Sequence, residues 1–231
     1  MADPQTLDLT QITLAVGALG AAATGLVDTT KVFSGGLSRA GFGHIKTMMA
    51  KLYLKSCSIP GLPLDEVLDT LLANWMNGMK LADQKSAAKS LIKLQFNTST
   101  AAAYAALAHV DPDALGQVAA NMAAATATPP VTAPMTPAMS DAFGRFDLAL
   151  TARIDQGYQR ADQLYRNSAK AAAAVFAVAL AFAGNASLPT PFKDWWIPLL
   201  VGLIATPLAP VAKDLSSAIS AASKALQTLR R

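Results

Sequence analysis

One cysteine, two histidines and few charges leave little chemistry open to this chain. Cys57 stands alone among 231 residues, so no intramolecular disulfide can form. It reads as a small buried or half-buried thiol and not as a reactive one, although Lys51 and Lys55 are near in sequence. His44 and His109 lie far apart, without a Cys/His/Asp set at ligand spacing, so no zinc site is indicated. Gly35-Gly36 and Gly41-Phe42-Gly43 lack the preceding strand and the lysine–hydroxyl ending of a phosphate-binding loop. They read as flexibility after the first apolar block. No Ser/His/Asp nucleophile set can be assembled. The chain is expected to be non-catalytic, with no metal and no cofactor.

Charge is scarce as well. Charged residues make up 15% of the chain and hydrophobic ones 52%, against about 25% and roughly 45–50% in an ordinary soluble domain. Mean hydropathy is +0.32. Aromatics contribute only 6%, and alanine is the most frequent apolar residue. Ala-rich helices are thin and let backbones approach closely. Net charge is +4, but the basic residues flank apolar blocks instead of forming one stripe. They act as topology determinants and point to no nucleic-acid partner. No Lys or Arg precedes Lys31. The first apolar block therefore lacks the basic lead of a signal peptide and is expected to stay as an anchor.

What is present gathers in three apolar blocks. Leu9–Val27 lies between Asp8 and Asp28 without an internal charge, and its length just matches the roughly 20 residues that cross a bilayer. Its small residues recur at spacing four, Gly17 with Ala21 and Ala21 with Gly25. That spacing is either a helix-packing face or the chance pattern of an Ala/Gly-rich helix. The second block centres on Ala171–Ala183, and Lys170 at its edge can snorkel to the interface. The third, Trp195–Ala212, opens on Trp195 and Trp196, residue types that favour a lipid headgroup boundary, and closes at Lys213. Pro198, Pro207 and Pro210 lie in or near it and are expected to bend it. Asn185–Asp194 between the last two blocks is short and rich in turn formers, which predicts a tight hairpin.

The expected fold is all-α: three transmembrane helices and a helical cytoplasmic insert. Residues 1–30 hold the first span, and 31–125 a helical domain without period-two alternation. Residues 126–139 form a Pro/Thr-rich linker, 140–167 a stalk helix, 168–212 the hairpin, and 213–231 an amphipathic tail. Asp111-Pro112 and Pro63-Leu64-Asp65-Glu66 read as helix starts, and Asn97, Thr98 or Ser99 as a cap for Ala101–His109. Ser140 caps a segment whose Phe143, Leu150, Ile154, Ala161, Leu164 and Ser168 repeat with nearly a coiled-coil period. Residues 140–184 are expected to be one helix of about 65 Å. Lysines and arginines cluster after block one, before block two and after block three. The positive-inside rule then places the insert and the C-terminus in the cytoplasm and the N-terminus outside. Asp28 and Lys31 mark the inner edge, as an interfacial ion pair or as charge at a pore mouth.

The stretch Tyr158–Lys170, the hairpin, and Gly202-Leu203-Ile204-Ala205-Thr206-Pro207-Leu208-Ala209-Pro210 followed by Asp214-Leu215 resemble a kind of bacterial inner-membrane protein with a terminal helical hairpin. The resemblance covers under half the chain and departs from the pattern in the aromatic positions after the proline. It implies a bacterial inner membrane and no particular activity. Two readings of function follow. One is a scaffold or anchor that assembles with itself or with a partner in the bilayer. The other is an oligomeric pore or channel, with Thr10, Gln11, Thr13 and Thr24 along a lumen.

Overall fold

The computed structural model describes residues 9–30, 35–54, 62–125 and 133–229. Cys57, Lys31 and the first half of the Pro/Thr-rich linker lie outside them. Every regular element among the described residues is a helix. In order they are α1 (Leu9–Thr29), a 3-10 turn (Gly36–Arg39), α2 (Phe42–Leu52), α3 (Leu64–Met76), α4 (Leu81–Lys93), α5 (Ala101–Ala108), α6 (Pro112–Ala125), α7 (Pro137–Ala186) and α8 (Trp196–Leu229). The chain divides into two compact units, Ser38–Leu164 and Met1–Leu37 with Tyr165–Arg231. Helix α7 contributes its first part to one unit and its second part to the other.

The unit Ser38–Leu164 has a conventional core of large side chains. Helix α2 buries Ile45, Met48, Met49 and Leu52, at the three- and four-residue steps of one helical face. Val67 and Leu71 come from α3, Ile92 from α4, Tyr104 from α5 and Leu115 from α6. Helix α7 runs through this cluster with Phe146, Leu150, Ile154, Tyr158 and Ala161. The segment expected as a free stalk over 140–167 is thus largely a core helix. Its buried positions step mostly by four, which suits a straight helix among short neighbours better than the 3.5 period of a supercoil. Phe146 and Tyr158, which lie off the expected repeat, are in the core, and Leu164, which lies on it, is exposed.

Helix ends follow local chemistry. The Asp111 side chain accepts from the Asp113 N–H at 3.0 Å, and Pro112 opens α6. The Asn97 side chain accepts from Ser99 N–H at 2.9 Å and Thr100 N–H at 3.2 Å, just ahead of α5. Helix α7 begins at Pro137, three residues before Ser140, because the Thr136 hydroxyl accepts from the Met139 N–H at 3.3 Å. His109 stops α5 in the left-handed conformation at φ 55°, the only non-glycine residue with positive φ among those described. The N–H of Val110 reaches back to Ala105 O at 3.1 Å, which completes that stop.

One buried amide ties the unit together. Gln95 is fully buried. Its side-chain oxygen accepts from Leu54 N–H at 2.8 Å and from the Tyr104 hydroxyl at 3.0 Å, while its NH2 donates to Leu54 O at 3.0 Å. The side chain thereby satisfies both polar groups of a backbone residue that no helix serves. On the surface, Lys85, Lys89 and Lys93 of α4 face two carboxylates of α7. Lys85 pairs with Asp155 at 2.9 Å, and Lys89 and Lys93 pair with Asp147 at 2.7 and 2.5 Å.

Gln95→Leu strands the two backbone groups of Leu54 and removes one bond of the Tyr104 hydroxyl, and is expected to lower stability by about 3 kcal/mol. The neighbouring Leu94→Gln, at an exposed position, is expected to change it by less than about 0.5 kcal/mol. Thermal denaturation of the full chain compares the two.

A second outcome concerns acid. Burial raises the Asp147 carboxyl, but the hydrogen bonds and charges of Lys89 and Lys93 outweigh it and hold the group below its ordinary value. A depressed folded-state pKa stabilises above the unfolded value of about 3.9 and loses that contribution as pH falls through the folded value. The midpoint gap between wild type and Asp147→Asn is therefore expected to be full near neutrality and to close as pH drops below about 4.

Candidate functional site

The second unit reverses the usual arrangement of apolar side chains. Its core consists of Ala23, Ala177 and Ala205, one from each of α1, α7 and α8, with Val16, Leu19, Phe176 and Leu180 packed beside them. Ala173 and Ala181 are buried on the same face of α7. Backbones meet closely at two glycines. A Cβ on Gly20 would collide with the carbonyl of Ala205 and sit 3.1 Å from Ala209 Cβ, and one on Gly202 would collide with the Val178 backbone. The larger apolar residues face outward: Val175 is 67% exposed, Leu203 and Ile204 49% each. Leu26, Phe182, Leu200 and Val211 are also exposed.

Two helices are long and apolar enough to cross a membrane, Gln11–Thr29 and a stretch of α7, and Trp196–Val211 adds a shorter apolar segment. Only 22% of the first span and 17% of the second are buried. A core helix of a soluble domain is mostly covered, and these two stretches are not. No charged residue lies within residues 11–27.

The residues marked out in the sequence fall as follows. Gly17 is buried, but Ala21 and Gly25 are exposed, and nothing lies within 4 Å of a Cβ built on Gly25. The contact face of α1 within the chain is instead Val16, Gly20, Ala23 and Val27, about one position round from the Gly17–Ala21–Gly25 line. An i, i+4, i+7, i+11 pattern of small and β-branched residues was the available signal for it. Asp28 is exposed near the end of α1, and Lys170 is exposed on α7. Trp195 and Trp196 are 69% and 49% exposed at the start of α8. Lys213 sits on α8, which continues unbroken to Leu229 where a separate tail was expected from residue 213. Lys31 lies outside the described residues. The connection from α7 to α8 is closed by Asn185, whose side chain accepts from Phe192 N–H at 2.9 Å and donates to Phe192 O at 3.3 Å.

In the other unit two ionisable side chains have structural roles. The Tyr158 phenol is raised well above the ordinary tyrosine range by burial, and donates to Gln84 O at 3.3 Å. His109 is a helix stop. Among the described residues no three His, Cys, Asp or Glu side chains gather as a metal site. No family model, curated protein or solved structure matches the chain.

The α1 contact face predicts an asymmetric response to bulk. Gly20→Leu is expected to drive α1 from α8 and lower the thermal midpoint of the detergent-solubilised chain sharply. Gly25→Leu is expected to leave it within a few degrees, since the added side chain enters open space.

Proposed function

We propose that the chain is a membrane protein with three spanning helices, α1, the second part of α7 and α8, and that it serves as a non-catalytic scaffold or anchor. The observation that carries this reading is the reversed unit, with alanines inside and Val175, Leu203 and Ile204 outside. Water penalises such a surface, whereas lipid tails do not. Gln11–Thr29 spans about 28 Å at about 1.5 Å per residue, close to a hydrocarbon core of about 30 Å. Exposed Trp195 and Trp196 suit one headgroup boundary and Lys170 the other. The basic flanks favour Ser38–Leu164 and the C-terminus on the cytoplasmic side, with the N-terminus outside. The resemblance of the C-terminal part to bacterial inner-membrane proteins supports that membrane as the location.

Thin helices favour assembly. Ala21 and Gly25 leave a small-residue face of α1 open, which admits a second copy or a partner helix at short distance. The Ser38–Leu164 unit is then what the anchor presents. A pore draws less support. The Thr24 hydroxyl donates to Ala21 O of its own helix at 2.8 Å, which is how threonine satisfies itself in lipid.

Impermeant maleimide labelling of spheroplasts tests the topology. Ser187→Cys, in a chain carrying Cys57→Ser, is expected to react from outside, and native Cys57 only after permeabilisation. The opposite pattern would invert the topology, and protection of both would refute spanning. Light scattering in detergent is expected to give two or three copies. A single copy would end self-association, and a ring of four or more that conducts ions in liposomes would replace the scaffold with a pore.

A further inference from the structure

Helices α2 and α7 face each other across a cleft of about 350 Å³ within the Ser38–Leu164 unit. Its polar lining is His44, Thr47 and Lys51 from α2 and Arg153, Gln156 and Arg160 from α7. Each trio is spaced by three and then four residues, so each lies on one face of its helix. Between them the floor is closed by packing: Gly157 faces Met48, and a Cβ at 157 would lie 2.9 Å from Met48 Cβ. Gly41, at φ 92°, brings the start of α2 against the Ala161 backbone. The walls are therefore fixed at close range, and the cations they carry cannot drift apart without loosening the core.

Among the described residues no carboxylate lines the cleft. Helix α7 sorts its charges by face. Asp147 and Asp155 point to the lysines of α4, while Arg153 and Arg160 point to α2. The Arg153 guanidinium is also anchored by donating to Leu107 O, which leaves its remaining N–H groups oriented. Among the described residues neither Lys51 nor Arg160 is in an ion pair. Three permanent cations converge on a space without a counter-charge, and their mutual repulsion is relieved by an anion between them.

We propose that this cleft binds a phosphate-bearing anion. The guanidinium groups of Arg153 and Arg160 offer planar forks that match phosphate oxygens, and Lys51 adds a point charge. His44 and Gln156 supply further donors. The volume falls at the lower end of small-ligand sites, about 300–1,000 Å³, which admits a phosphate ester as well as the bare ion. A soluble phosphate ester and the headgroup of an anionic phospholipid present the same chemistry. Because every residue involved lies in one unit, the site does not depend on the membrane reading.

The test uses the full chain in a neutral detergent, with thermal midpoint and calorimetric binding as readouts. The probes are inorganic phosphate, glycerol phosphate and short-chain phosphatidylglycerol, against chloride at equal ionic strength and short-chain phosphatidylcholine. Variants are K51Q and R160Q, both at exposed positions, and K46Q, which lies on α2 outside the cleft lining. Midpoints without ligand are expected to be unchanged or slightly raised, since K51Q and R160Q each remove one of the mutually repelling charges, so lost binding is not lost folding. Binding of inorganic phosphate or glycerol phosphate, weakened about tenfold by K51Q and by R160Q but not by K46Q, supports the site with a soluble ester as its source. Binding of phosphatidylglycerol alone, with the same variant pattern, supports it with a lipid headgroup. No binding of any of the three, or binding that K51Q and R160Q leave intact, overturns the proposal.

Discussion

Close backbone approach at glycine is the constraint on which both units rest. Gly41 lies against the Ala161 backbone and Gly157 against Met48 in the Ser38–Leu164 unit. In the other unit, Gly202 lies against the Val178 backbone and Gly20 against the carbonyl of Ala205. Three of these four contacts involve α7. A methyl group at any of them meets backbone or a buried side chain, so the helices could not keep their spacing. At Gly41 the positive φ adds a conformational penalty for any side chain. Few other residues could bring helices this near, and the scarcity of aromatics in the chain fits an architecture that gains contact by proximity more than by bulk.

The same helix solves two different packing problems along its length. From Phe146 to Ala161 it buries bulky residues every three or four positions, as water requires. From Ala173 to Ala181 it buries only alanines and turns Val175 and Phe182 outward. The two segments differ in charge, since Phe146–Ala161 carries Asp147, Arg153, Asp155 and Arg160 and Ala173–Ala181 carries none, and they differ as much in the direction of the large side chains. In the first segment the charged faces sort acids toward α4 and bases toward α2.

Much of the helical inventory is legible in residue order. Asp111-Pro112, Asn97 and the Asn185–Asp194 turn each state a boundary through a hydrogen bond local in sequence, and such bonds can be read without the fold. What escapes a linear reading is long in range. Gln95 looks like an ordinary surface amide, because its partner is the backbone of Leu54, 41 residues earlier. Lys85, Lys89 and Lys93 share one face of α4, and nothing in their spacing announces that α7 supplies Asp147 and Asp155 as partners. The stepping of α7 was ambiguous for the same reason: a 3.5 and a 3.6 period differ little over four turns, and only the identity of the neighbours decides between them. The α1 face that meets the rest of the chain, Val16, Gly20, Ala23 and Val27, does not stand out in the sequence, because a chain with so much alanine offers small-residue spacing in nearly every direction.

Helix α8 has 34 residues, about 51 Å at about 1.5 Å per residue, so it is far longer than a bilayer's hydrocarbon is thick. Pro207 and Pro210 remove the N–H groups that Leu203 O and Thr206 O would otherwise engage, and this is where such a rod bends most easily. In a membrane-spanning α8 the compliance is therefore confined to one short zone, with stiffer helix on either side. Thinning or thickening of the bilayer would tilt the apolar part and swing the distal turns through an angle set at those two carbonyls. In that setting an anchor would also act as a lever whose arm follows the thickness of the bilayer.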